Sequence, residues 1–223
     1  AIENTMPSGP SRNNIFAIQA TTTSLWAVYW YYNLFYNPYP LDTYGISKFS
    51  ETGWLSIPYD KVFGAKSISR ITVNPSNEKE VYASSFFSGL LKIVDDVPKI
   101  LYDQSNSGLE SLILAPPNPS YIDIRINGAA FDKNGILWVT NSLIKNGLKT
   151  LDTSGKWQSY SLDKILLASS NTNFARLSID KNGTKWIATD RDGLIGFNEK
   201  KNVFKKITIG ADTGNLPDAN ERV

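Results

Sequence analysis

The chain has no cysteine and no histidine. The first absence removes disulfides and thiolate-ligated metals, but it leaves the compartment open, since many secreted bacterial proteins also lack Cys. The second removes the Ser-His-Asp and Cys-His nucleophile systems and His-ligated zinc. An excess of either charge is missing too: Lys and Arg number 23 against 21 Asp and Glu, a formal +2. Such a balance asks for neither a nucleic-acid backbone nor an anionic membrane as partner. No apolar run approaches the roughly 20 residues of a membrane-spanning helix. Ala1–Pro10 shows no basic or apolar signal-peptide region. Phosphate-cradling glycine patterns of the G-x-x-x-x-G-K-[ST] or G-x-G-x-x-G kind do not occur. What remains is 223 residues, 41% hydrophobic and 20% charged, enough for one folded domain with a sizeable core.

What the chain does contain is a repeat. Phe16-Ala17-Ile18, Ile71-Thr72-Val73, Ala129-Ala130-Phe131 and Leu177-Ser178-Ile179 each place apolar residues two apart, the period of a strand with one buried face. Second strands centre on Trp26, Tyr82, Trp138 and Trp186. Third strands open with Gly45-Ile46, Gly89-Leu90, Gly147-Leu148 and Gly193-Leu194, and fourth strands carry Trp54, Ile100, Trp157 and Phe204. Asp132-Lys133-Asn134-Gly135 and Asp180-Lys181-Asn182-Gly183 join first to second strands with Asn-Gly hairpin chemistry. Four-stranded meanders of this length, each with one large aromatic, predict an all-β fold: a β-propeller of four-stranded antiparallel blades. A β-sandwich is the alternative, but it requires no such phase-locked repeat. The expected blades span approximately 14–60, 68–105, 124–163 and 173–210. A short helical turn is expected only near Leu162–Ala168. Residues 211–223 repeat the phase that precedes the first strand, so they read as the start of a next blade and the chain as part of a larger propeller, with a four-bladed propeller as the alternative.

Function in a repeat protein is most often added where the repeat is broken. From Trp26 to Gly45 the first copy spends far more residues than Tyr82–Gly89, Trp138–Gly147 or Trp186–Gly193. That insertion holds Trp30, Tyr31, Tyr32, Phe35, Tyr36 and Tyr39, on the face where propellers commonly bind. Tyr and Trp offer flat apolar area with a polar tip, which suits sugar rings or protein hot spots. The competing reading is a hairpin whose aromatics pack on their own blade or plug the channel. The link from Asn106 to Asp123 is also long and apolar, and a loop laid over the core explains it better than a binding segment. Arg70 and Arg176 share one first-strand slot and so line the expected channel. There an anion or sugar contact competes with plain solvation.

Candidate catalytic acids are weak. Asp132, Asp152, Asp180, Asp190 and Asp192 sit in turns, where their side chains bond the local backbone. The Asp-Lys-Asn-Gly turns lack the later ligands of a calcium loop, and Lys200, Lys201, Lys205 and Lys206 read as a solvated hairpin. No cofactor, metal or enzymatic activity is expected.

Two stretches resemble known families. Asp-Lys-Asn-Gly, Trp186-Ile187-Ala188-Thr189, Asp192-Gly193-Leu194 and Gly214–Val223 resemble the two-component-regulator type of propeller repeat of Bacteroidetes sensor ectodomains and surface proteins. Tyr36–Lys48 (YNPYPLDTYGISK) with Glu51-Thr52-Gly53-Trp54 resembles the propeller region of the PorZ family of the type IX (Por) secretion system. This second likeness covers essentially the whole chain. It implies a non-catalytic cell-surface component of an outer-membrane attachment complex. Its partners would be surface polysaccharide (anionic lipopolysaccharide) or proteins of the sortase complex. Members of that family carry two propellers and a C-terminal β-sandwich, so the likeness also implies a fragment, with open edges through which it could dimerise. No binding residue carries over from the family motif. The alternative is the periplasmic ligand-sensing propeller of a hybrid two-component histidine kinase. A polysaccharide-cleaving enzyme ranks last, because it needs paired carboxylates in one cleft.

Overall fold

Alternating apolar residues and positive-φ turns fold each repeat into a meander. The structure is a computed structural model, and it describes residues 8–33, 35–166, 169–210 and 214–215. The first sheet holds β1 (Ala17–Ala20), β2 (Ser24–Val28), β3 (Ile46–Ser50) and β4 (Gly53–Ile57). The second holds β5 (Ile68–Asn74), β6 (Asn77–Ser85), β7 (Gly89–Val94) and β8 (Val97–Tyr102). The third comprises β9 (Ile126–Phe131), β10 (Leu137–Asn141), β11 (Leu148–Leu151) and β12 (Trp157–Tyr160), and the fourth β13 (Phe174–Ile179), β14 (Lys185–Thr189), β15 (Leu194–Asn198) and β16 (Val203–Ile207). Within each sheet, strands neighbour one another in chain order and run antiparallel. These are four blades of a β-propeller.

Asp132, Asp152 and Asp180 act as the sequence suggests, whereas the side chains of Asp190 and Asp192 bond Asn173 and Lys206, distant in the chain. Asp180 Oδ1 accepts from the backbone N–H of Asn182 (2.8 Å) and Thr184 (3.0 Å), and Oδ2 accepts from Trp186 Nε1 at 3.1 Å. Asp132 repeats the pattern one blade earlier, with Trp138 Nε1 at 3.2 Å from Oδ2. Each carboxylate therefore ties its hairpin to the aromatic of its own blade. The glycine that opens the third strand also has a reason. A Cβ on Gly45 would lie 2.1 Å from the Ile57 carbonyl oxygen, and one on Gly89 2.1 Å from that of Tyr102. The third strand thus starts in direct backbone contact with the end of the fourth.

The second-strand aromatics then do the packing between blades. Trp26 joins Ile68, Ile71, Val81 and Leu91 of the second blade. Tyr82 joins Ile126, Leu137 and Val139 of the third, and Trp138 joins Phe174, Leu177, Ile187 and Phe197 of the fourth. A lysine ammonium caps each ring: Lys48 over Trp26 at 5.2 Å, Lys92 over Tyr82 at 5.6 Å and Lys185 over Trp138 at 3.7 Å. The inner strands pack in the order β1–β5–β9–β13. Three cores built on a second-strand aromatic serve four blades; the remaining cluster brings the insertion of the first repeat against the fourth blade without a second-strand aromatic. The Leu162 region is a turn over Asp163–Ile165 whose Leu162 and Leu166 enter the third core; Leu167 and Ala168 lie outside the described residues. Of the segment 211–223 only β18 (Gly214–Asn215) is described, paired with β17 (Ile209–Gly210). The rest of that expected next blade lies outside the described residues.

Candidate binding face and central cavity

The insertion leaves β2 at Val28 and returns at Ile46, and its aromatics divide into two sets. Trp30 and Tyr36 are buried, with Tyr32 half-buried beside them. They pack around Phe86, which lies in the turn between β6 and β7, and against Ala175 and Ala188 of the fourth blade. Trp30 stacks on Phe86 at 5.7 Å, Tyr32 on Phe86 at 5.4 Å and Tyr32 on Tyr36 at 4.9 Å. The result is an aromatic plug that spans from the first blade to the second and fourth. Polar bonds fasten it. Arg125 donates from Nη1 to the Tyr36 carbonyl at 3.2 Å. The same guanidinium binds the fully buried Asp123 carboxylate through Nε (3.1 Å) and Nη2 (2.8 Å). Trp30 Nε1 donates to the Pro40 carbonyl at 3.3 Å.

Tyr31, Phe35 and Tyr39 form the second set, 64%, 76% and 47% exposed. Tyr39 belongs to a surface triad: its ring meets Phe87 edge-on at 6.1 Å, Phe87 meets Tyr121 at 6.3 Å, and the two tyrosine hydroxyls lie 3.0 Å apart. Tyr121 in turn donates to Asp123 Oδ2 at 3.1 Å. Burial, the bond with Tyr39 and the Asp123 charge all push the Tyr121 phenol above its ordinary range, so it stays protonated. The exposed Ile113, Leu114 and Ile122 come from the 106–123 link, whose Leu109 is buried in the second core. That link is both a loop over the core and a contributor of exposed apolar side chains. Sequence reasoning missed Phe86, Phe87, Tyr121, Asp123 and Arg125. The available signal was the Phe86-Phe87 pair, which occupies the same second-to-third turn as the insertion one blade later.

Arg70 and Arg176 come together in one cavity of about 340 Å³ at the inner strands. Its walls are stretches 17–19, 70–73, 127–130 and 176–178, one from each blade, and no Asp or Glu is among these described lining residues. Arg70 Nη2 donates to the Tyr32 hydroxyl at 3.4 Å and its guanidinium lies 4.9 Å over the Phe16 ring, so the plug abuts this cavity. The carboxylates stay elsewhere. Asp152 bonds its own turn, Asp190 accepts from Asn173, and Asp192 pairs with Lys206 at 2.7 Å. No cluster of three or more metal-ligating side chains occurs among the described residues.

Fold and site together define a β-propeller segment with an aromatic face and a cationic central cavity. Solved structures of similar fold include bacterial surface and sensor proteins and a lyase. PorZ, a surface component of the type IX secretion system of Porphyromonas gingivalis, matches with a TM-score of 0.75 at 18% identity, over 92% of this chain and 29% of PorZ. The extracellular domain of a protein assigned to the hybrid two-component systems of Bacteroides thetaiotaomicron matches with a TM-score of 0.64 at 16% identity, over 95% of this chain and 25% of that one. A catalytically inactive variant of virginiamycin B lyase from Staphylococcus aureus gives 0.60 at 15% identity, over 90% and 57%. No protein-family model matches the chain, and no curated protein matches it by sequence. At these identities the likeness is one of fold, and there it agrees with both resemblances drawn from the sequence. The chain spans less than a third of PorZ and of the two-component protein.

Proposed function

We propose that this chain is a non-catalytic binding segment of a larger extracytoplasmic propeller, acting at the bacterial cell surface as a component of type IX secretion and attachment. Its ligand is surface polysaccharide of the anionic lipopolysaccharide kind. The observation that carries the reading is the division of the insertion. Trp30, Tyr32 and Tyr36 form a buried plug, which leaves Tyr31, Phe35 and Tyr39 exposed to solvent, Tyr39 beside Phe87 and Tyr121. Flat rings held on a fixed support suit stacking on sugars, because little side-chain freedom is lost on binding. The fold likeness to PorZ supports the cellular setting. The lack of histidine and the engagement of the turn aspartates support binding over catalysis. Among the described residues no helix is long and apolar enough to cross a membrane.

The test is retention of the chain on immobilised anionic lipopolysaccharide against a neutral polysaccharide. Tyr31→Ala, Phe35→Ala and Tyr39→Ala combined should weaken retention by at least about tenfold, since truncating the anchoring residues of an interface costs more than about 1 kcal/mol. Undiminished retention by the triple variant would overturn the assignment to this face. Retention of a sortase-complex protein in place of polysaccharide would move the ligand class to protein. The fold likeness to two-component ectodomains favours a second reading, the ligand-sensing propeller of a hybrid histidine kinase. A membrane helix and a kinase domain encoded downstream in the same gene would establish that reading and remove the first.

A further inference from the structure

We propose that the central cavity is a binding site for the oxyanion group, carboxylate or phosphate, of a small hydroxylated molecule. The site is held by Arg70, Arg176 and Asn127. Two guanidinium groups line the cavity and no carboxylate among the described lining residues offsets them. Uncompensated cations around a concave space concentrate anions, and a guanidinium presents a planar fork matched to carboxylate or phosphate.

The second observation is independent of charge. Asn127 is 1% exposed and lies in the cavity wall, yet its Nδ2 has no hydrogen-bond partner. Its Oδ1 is engaged by Ser69 Oγ at 3.1 Å, so the amide is oriented with the donor end left over. Arg70 Nε is likewise buried and unpartnered, although that side chain is fixed at its tip by Tyr32 and over Phe16. Buried donors without partners are costly and rare, and these two, on the neighbouring inner strands β9 and β5, leave the surround of an acid-free cavity with donor capacity that no described acceptor takes up. The volume of about 340 Å³ sits at the lower end of ligand pockets, roughly 300–1,000 Å³, and is of sugar size. Gln19 and Ser178 at the cavity wall offer further polar contacts for hydroxyl groups.

This site is separate from the exposed aromatics. Tyr31, Phe35 and Tyr39 do not line the cavity, so either proposal can fail while the other stands. Calorimetric titration of the 223-residue chain with glucose 6-phosphate and with gluconate, and with glucose as the neutral control, tests it. At least one of the two anions should bind tenfold or more tightly than glucose, by an affinity that falls as salt rises. Which anion binds more tightly identifies the group. Arg176 is exposed, so Arg176→Gln should leave the melting temperature unchanged and weaken the anion by about tenfold, the scale of one lost charge-assisted hydrogen bond. Asn127→Asp, which places a negative charge in the wall, should abolish binding. Should that variant fail to fold, Arg176→Gln alone decides. Anions bound no more tightly than glucose, or wild-type affinity in Arg176→Gln, would overturn the proposal.

Discussion

Lys185 is almost wholly buried, lies 3.7 Å over the Trp138 ring and is paired with Glu199, whose side chain is 22% exposed. The two partners are therefore unequal. Removing Glu199 leaves an ammonium in a dry site, whereas removing Lys185 leaves a carboxylate that water can reach. Glu199→Gln should cost about 3–5 kcal/mol. Lys185→Met keeps most of the volume and should cost only about 1 kcal/mol. Urea denaturation of both variants measures the difference, and equal losses would show that the pair is not asymmetric. Glu80 sets the acid side of stability. Burial pushes its carboxyl up, but Lys92 (2.7 Å), Tyr82 (2.7 Å) and Asn74 (3.0 Å) outweigh that and hold it below its ordinary 4.5. A depressed folded-state value means that the stabilisation is complete above the unfolded value and is lost as pH falls through the folded one. The melting temperature should thus fall as pH drops below about 4.5, and Glu80→Gln should flatten that descent. Parallel descents for variant and wild type would exclude Glu80. Further slope comes from Glu78, Asp152 and Asp180, lowered first by the Thr22 amide, the Ser154 hydroxyl and the Thr184 amide respectively.

At the scale of elements, the insertion has two layers with opposite mutational costs. Phe86 is fully buried under Trp30 and Tyr32, so Phe86→Ala should cost about 3–5 kcal/mol through the cavity it opens. Phe35→Ala, at a 76% exposed position, should stay within about 0.5 kcal/mol. Thermal denaturation of the two separates plug from display, and a large cost at Phe35 would mean that the outer layer is structural too. The strands and hairpins were legible in the sequence because their causes are local. Residue alternation, Asx turns and a glycine forced by its neighbour strand each act within one repeat, as Asp180 with Trp186 shows. The insertion was only half legible. Its partners Phe86, Arg125, Ala175 and Ala188 come from the other blades. No periodicity within Trp26–Tyr44 reveals which rings those partners cover. The cavity was legible as a slot shared by Arg70 and Arg176, but Asn127 was not, because its significance is the bond it lacks.

For the whole molecule, the decisive fact is the count of cores against blades. Trp26, Tyr82 and Trp138 each pack against the following blade, but Trp186, at the same phase, faces away from the third blade with no described blade beyond it. At the other end Ile18, Phe49 and Trp54 share the face of the first blade opposite Trp26, with Ile18 60% and Phe49 45% exposed. The two open faces are of the kinds that meet inside the arc: a second-strand aromatic on one, an apolar sheet on the other. Head-to-tail association of two copies would pair each such face with its counterpart, and two four-blade arcs that close make eight blades, within the range of known propellers. The 24.8 kDa chain in isolation should therefore sediment near twice its mass at high concentration and dissociate on dilution. Phe49→Glu places a charge in the open face, away from plug and cavity, and should hold the chain monomeric without changing its melting temperature at low concentration. A wild-type chain that stays monomeric throughout would mean that the open faces do not complement one another. An equally dimeric Phe49→Glu would place the contact elsewhere on the molecule.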